Sequence, residues 1–319
     1  VPVRRASLAF VAASCVAVFA ACCVVVASMP ALAKAPLGGA PHEGACPVFP
    51  ASNPLNQDIS HAPVDPNSAK YIASIGANIH LHADFGTPPS YGIPYTVVGP
   101  RQRKVPVHFE YKEESDPGPY PIPPNAPVEG AGEEGDRHVL VLQEGTCKLY
   151  ELYAARRQGH GWEAGSGAVF NLRSNALRPE GWTSADAAGL PIFPLLARYP
   201  EVKAGQIDHA LRVTVSQTQR AYIHPATHFA SDNSDPNLPP MGLRLRLKAN
   251  FPLSGYHGQA LIVLRALERY GLIVADNGSS WYITGAPNPH WNNEDLDQLK
   301  TVPGSAFEAV DTGPVLHPR

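Results

Sequence analysis

Between Gly161 and Asp186 the sequence GWEAGSGAVFNLRSNALRPEGWTSAD gathers Trp162, Trp182, Arg173, Arg178, Asn171, Asn175, Glu163 and Asp186 in one short stretch. Flat indole rings can cover the apolar face of a sugar while amide, guanidinium and carboxylate groups fix its hydroxyls, so this mixture suits a hydroxyl-rich ligand. It equally suits a glycine-rich connection whose tryptophans cap a core. A second group lies upstream, where alternation in Asn78–Phe85 predicts a strand that projects His80, His82 and Asp84 from one face. Two imidazoles and a carboxylate so placed could ligate a divalent metal, or let Asp84 act as a base beside His82. A solvated or hydrogen-bonded strand would show the same pattern. Metal and cofactor therefore stay open.

Cleaving a glycosidic bond takes one acid to protonate the leaving oxygen and a second carboxylate as nucleophile or base. Asp84 and Asp186 form the first candidate pair, with His82 orienting Asp84 and with Glu151 and Asp208 in reserve. Trp162, Arg173, Asn175, Trp182 and Glu151 are the candidate substrate-binding residues.

The elements that must position these groups are mostly short strands. Arg137–Leu142 and Cys147–Tyr153 read as a hairpin, and Asp276-Asn277-Gly278-Ser279 between two apolar runs reads as another. Leu243–Lys248 alternates leucine with Arg244, Arg246 and Lys248, a strand whose basic face could meet an acidic sugar or simply water. Gln259–Tyr270 is the longest helical pattern, ended by Gly271, and a shorter helix is expected over Ala69–Ile75, ended by Gly76. Ser115–Gly135 is too rich in proline and glycine for a regular element, with Tyr120 as its expected contact residue. The pattern predicts a mainly β protein: an antiparallel β-sandwich or barrel-like domain with one substantial C-terminal helix and long loops.

The ends and the composition bound the setting. Arg4 and Arg5, an apolar run to about Ser28 and Ala31-Leu32-Ala33 read as a secretory signal over residues 1–33, followed by an arm over 34–68 and a single β-rich domain over 69–319. An uncleaved membrane anchor is the alternative reading of that run. Val1 in first position fits a GTG start codon, hence a bacterial gene. Loss of Arg4 and Arg5 moves the formal charge from −3 to −5, which gives no case for a nucleic-acid partner. Only Cys46 and Cys147 then remain, and in an oxidising compartment they can form one intramolecular disulfide. No later run is long enough to span a bilayer, so no stable membrane insertion is expected after cleavage.

The segments YGIPYTVV, SDPGPYPIP, NALRPEGWTSADAAGLP, PPMGLRLRLK and RYGLIVADNG resemble a family of secreted bacterial proteins of unassigned function, over nearly all of residues 46–310. The resemblance implies a secreted, self-contained domain and transfers no catalytic residue. G-x-S-x-G, H-E-x-x-H, Walker and dinucleotide motifs are absent. The expectation is a secreted carbohydrate-active hydrolase acting on a cell-wall or environmental polysaccharide through paired carboxylates. A noncatalytic glycan- or cell-wall-binding protein and a polysaccharide lyase are the alternatives.

Overall fold

A computed structural model describes residues 40–88, 91–132 and 135–318 of the protein. The segment read as a secretory signal, 1–33, lies outside the described residues, as does the start of the arm. In chain order the strands are β1 (His42–Glu43), β2 (Cys46–Pro47), β3 (His82–Asp84), β4 (Tyr95–Val98), β5 (Val107–Phe109), β6 (Val139–Gln143), β7 (Lys148–Tyr153) and β8 (Arg156–Gln158). They continue with β9 (Gly161–Ala164), β10 (Ser166–Asn171), β11 (Leu211–Val215), β12 (Arg244–Leu247), β13 (Leu272–Asn277), β14 (Tyr282–Thr284) and β15 (Phe307–Val310). The α-helices are α1 (Ser68–Ile75), α2 (Tyr199–Ala204), α3 (Gly258–Arg269) and α4 (Asn293–Asp297).

The protein is β-rich. A six-stranded sheet has the order β15-β12-β13-β11-β14-β3, a four-stranded sheet β10-β7-β6-β4 and a three-stranded sheet β5-β9-β8. Among the described residues no sheet closes into a barrel. The sheets are mixed where the sequence predicts antiparallel ones: β11 runs parallel to β13, β14 to β3, β4 to β6 and β5 to β9. The predicted hairpin over β6 and β7 forms, with Leu140 opposite Glu151. The one predicted around Asn277-Gly278 does not, because β11 lies between β13 and β14. The turn residues bond to β11 instead: Gly278 N–H donates to Val215 O at 2.9 Å and Trp281 N–H to Thr214 O at 3.1 Å.

Helix α3 lies against β12 and α1 against β15. Their apolar stripes, Val263, Leu264 and Leu267 in α3 and Tyr71, Ile72 and Ile75 in α1, join the main core. A smaller core fills the space between the other two sheets with Val107, Tyr120, Val141, Tyr150 and Trp162. Tyr120, expected as the contact residue of the proline-rich loop, is 1% exposed, and its hydroxyl donates to Asp116 O. The phenol in the proline-rich loop thus anchors that loop to the domain.

The described part of the N-terminal arm is strapped down at several points. Cys46 and Cys147 form a disulfide across a separation of 101 residues. Arg244 donates to Pro54 O and Tyr270 O, and Arg246 donates to Ile59 O, Ser60 O and Ala62 O while pairing with Glu308. These two arginines are 2% and 7% exposed. The expectation that this face meets an acidic sugar is therefore corrected: its charges are spent on backbone carbonyls that would otherwise be buried without donors.

Candidate functional site

The geometry of interest begins on one face of the six-stranded sheet. Asp84 is the register partner of Thr284, and Thr284 Oγ1 accepts from Arg212 Nη1 at 3.0 Å. Residues paired across adjacent strands share a face, so Asp84, Thr284 and Arg212 form a row across β3, β14 and β11. One step along the strands, His82 pairs with Tyr282 and stacks on its ring at 4.1 Å between centroids.

A bulge adds the next group. Val213 pairs with Val274, but Thr214 pairs with Asp276, so Ala275 is the extra residue on β13. Side chains alternate faces along a strand, and without the bulge Asp276 would share a face with Val213 and Val215. The extra residue turns it onto the face of Arg212. Ala275 O is taken by Ala188 N–H at 3.0 Å, which ties the bulge to the loop carrying Asp186. Gly189 in that loop has φ of 73°, and a Cβ there would lie 2.3 Å from Thr227 Oγ1, so only glycine lets the loop pass.

Arg212 is the hub. Its Nε reaches Asp186 Oδ2 at 2.7 Å, and its Nη2 reaches Asp186 Oδ1 at 2.8 Å and Asp276 Oδ2 at 3.1 Å. The Asp186 side chain is fully buried, whereas that of Asp276 is 26% exposed. One guanidinium faces two carboxylates, so they cannot both be held ionised cheaply. Burial first, and then the charge of Asp186, push the Asp276 carboxyl up to about 6 against the opposing pull of Arg212.

Asp276 lines a cavity of about 310 Å³ with Tyr111, Asp136, Tyr153, Ser166, Asn277 and the backbone around Asp186. Asp136 and Tyr111 are exposed there. A neighbouring cavity of about 370 Å³ is lined by His82, Asp84, Thr87, Tyr91, Asn293, Asp297 and Lys300. Burial raises the Asp84 carboxyl, helped by the charge of Glu129 and opposed by His82 and Arg212. His82 is lowered by burial and by Lys300. Burial alone would also raise Glu129, but His138, whose Nδ1 lies 2.6 Å from its Oε2, outweighs that and holds the carboxyl below its usual range.

The sequence-predicted residues fall into different places. Asp84 and Asp186 both belong to the Arg212 face, yet they line different cavities. The role expected of Asp186 as a catalytic acid or nucleophile does not fit a side chain with no exposure and both oxygens engaged by Arg212. Glu151, expected to touch substrate, is 0% exposed and accepts from the N–H groups of Ile192 and Phe193; burial pushes its carboxyl up to about 7. Trp162 is 3% exposed in the smaller core with Arg157 over its ring at 4.6 Å, away from the acidic face. Trp182 is half-buried with Arg178 5.6 Å from its ring. Arg173 donates to Gly145 O, and Asn175 donates to Ser52 Oγ and accepts from Asn53, so both fasten loops beside the disulfide. Asp208 accepts from Gln206 and Tyr270.

His80 bridges Pro303 through its backbone, outside β3. Among the described residues no three His, Cys, Asp or Glu side chains gather as a metal site. The groups on and around this face that sequence reasoning missed are Arg212, Asp276, Asp136, Glu129 and His138. Only a strand break at Ala275 could have flagged Asp276, and alternation within LIVADN shows none. No protein-family model, curated protein or solved structure matches the chain.

Proposed function

We propose that the protein is a secreted carbohydrate-active hydrolase whose chemistry is centred on the carboxylates around Arg212. Asp276 is the general acid and Asp136, exposed in the same cavity, is the base or nucleophile. The observation that carries this reading is Asp276 itself: a half-buried carboxyl opening into a cavity, sharing a guanidinium with Asp186, and raised to about 6. Such a group keeps a proton in mildly acidic water and can pass it to a leaving oxygen. Arg212 and Asp186 are positioning residues: Arg212 fixes the Asp276 side chain and favours its ionisation, while the charge of Asp186 opposes it.

The aromatic surface that a sugar needs is supplied by tyrosines. Tyr111, 51% exposed, stands in the Asp276 cavity, and Tyr91, 57% exposed, stands in the Asp84 cavity. Two cavities on one sheet face, each with an accessible ring and a carboxylate, suit successive units of a chain. In that scheme Asp84 and His82 hold a flanking sugar. The Cys46–Cys147 disulfide is in keeping with an extracytoplasmic setting, and among the described residues no helix is long and apolar enough to cross a membrane.

The test is product release from a panel of neutral and acidic polysaccharides in water enriched in heavy oxygen. New reducing ends carrying one labelled oxygen are expected. Unsaturated ends would replace hydrolysis with elimination, and saturable binding without any product would replace catalysis with recognition.

A further inference from the structure

A third cavity, of about 290 Å³, lies on the three-stranded sheet, away from the acidic face. Its lining includes Arg103, Arg157 and His160, with Val105 and Pro124 as accessible apolar surface, and among the described residues no acidic side chain takes part. The other two cavities are lined by Asp84 and Asp297 or by Asp136, Asp186 and Asp276. On a chain of formal charge −3 this is a local reversal of sign.

The cations are displayed by construction. Gln158 pairs with Gly161, so Gly159 and His160 form the tip of the β8–β9 hairpin, with Gly159 at φ of 54°. Gly161 lets β9 pass close to the segment leading into β5, since a Cβ there would lie 2.5 Å from Pro106 O. Arg157 is paired across the ladder with Trp162 and held over its ring, and its Nη2 donates to Ala126 O at 3.4 Å. A guanidinium fixed in this way loses little freedom when it binds an anion. Arg103 also lines the cavity and is exposed.

We infer that this cavity is an accessory subsite for one anionic unit of a glycan, whose carboxylate or phosphate meets Arg103 and Arg157 while its apolar face lies on Val105 and Pro124. The volume is at the lower end for ligand sites, about 300 Å³, and suits a single unit of a chain. The inference rests on the glycan reading above and adds to it the charge of the polymer. Arg103 lines neither cavity of the Arg212 face, so its variants report on the accessory site.

The experiment is calorimetric titration of the whole protein with trigalacturonate, neutral galactotriose and a short polyglycerol phosphate, repeated with R103E, R103Q and H160A. Trigalacturonate or the phosphate oligomer binds and galactotriose does not; the tighter of the two anions identifies the source. R103E weakens that binding by more than tenfold and R103Q by about tenfold, as loss of one charge-assisted contact implies. Equal binding of the neutral trisaccharide, or unchanged affinity in both Arg103 variants, overturns the subsite. The hydrolase reading fails separately: it falls if the wild type releases no product from any polymer, even where R103E-sensitive binding is present.

Discussion

The stretch from Gly161 to Asp186 and the sheet face around Arg212 are both dense in polar groups, and they use them in opposite ways. In the stretch nearly every polar group is bonded to its own fold: Arg178 pairs with Asp116 and donates to Glu114 O and Thr183 O, Asn175 ties down Ser52, and Arg173 caps Gly145. Around Arg212 the groups come from segments far apart in the chain, and one of them, Asp276, is left between a buried cation and open space. Density in sequence marks a place where loops must be held; convergence of distant segments marks a place where charge is left under tension.

The largest effects should separate the two regions by activity. D276N and D136N are each expected to lower kcat by about 10²–10⁴-fold with substrate affinity within a few-fold of wild type, read from steady-state rates and calorimetric binding. R178A should leave chemistry intact in the fraction that folds, but it deprives Asp116, at the start of the proline-rich loop, of its cation. A stability loss of about 3–5 kcal/mol is expected in denaturant titration. Replacing Cys46 and Cys147 by serine frees a loop of 101 residues and should cost about 2–5 kcal/mol in the same assay.

The pH dependence sharpens the contrast further. Asp276 must carry its proton, so kcat/KM should hold below pH 6 and fall about tenfold per unit as the pH rises beyond it. Glu151 bears on stability instead. Its folded value, about 7, lies above the ordinary glutamate value of 4.5, so the native state binds the proton more tightly. The stability this contributes is complete below pH 4.5 and is lost as the pH rises through about 7. E151Q, whose remaining oxygen can still accept from Ile192 and Phe193, should flatten that slope in thermal unfolding followed from pH 4 to pH 8. The smallest effects are expected from R173A and N175A, each within about 1 kcal/mol of wild type and without change in kcat.

Some of this was legible in residue patterns and some was not. Alternation in VLVLQ and KLYELY is local, so the β6–β7 hairpin could be read directly, and with only Cys46 and Cys147 outside the apolar N-terminal segment the disulfide had one solution. Arg244 and Arg246 alternate with leucine as a solvated strand would. The carbonyls that bury them belong to Pro54 and Ile59, separated by 190 and 187 residues, and no local pattern records that. Asp276-Asn277-Gly278 carries the composition of a tight turn, yet the strand continues through Asn277 because β11 supplies partners on its flank. The bulge at Ala275 leaves no mark in composition, and it is the bulge that brings Asp276 to Arg212.

The most direct test is mass-spectrometric product release measured side by side for wild type, D276N and R173A on a polysaccharide that the wild type degrades. Product from wild type and R173A, with D276N reduced at least a hundredfold, is the predicted result. Turnover by D276N at the wild-type rate, or its loss in R173A with the fold intact, would place the chemistry outside the Arg212 face.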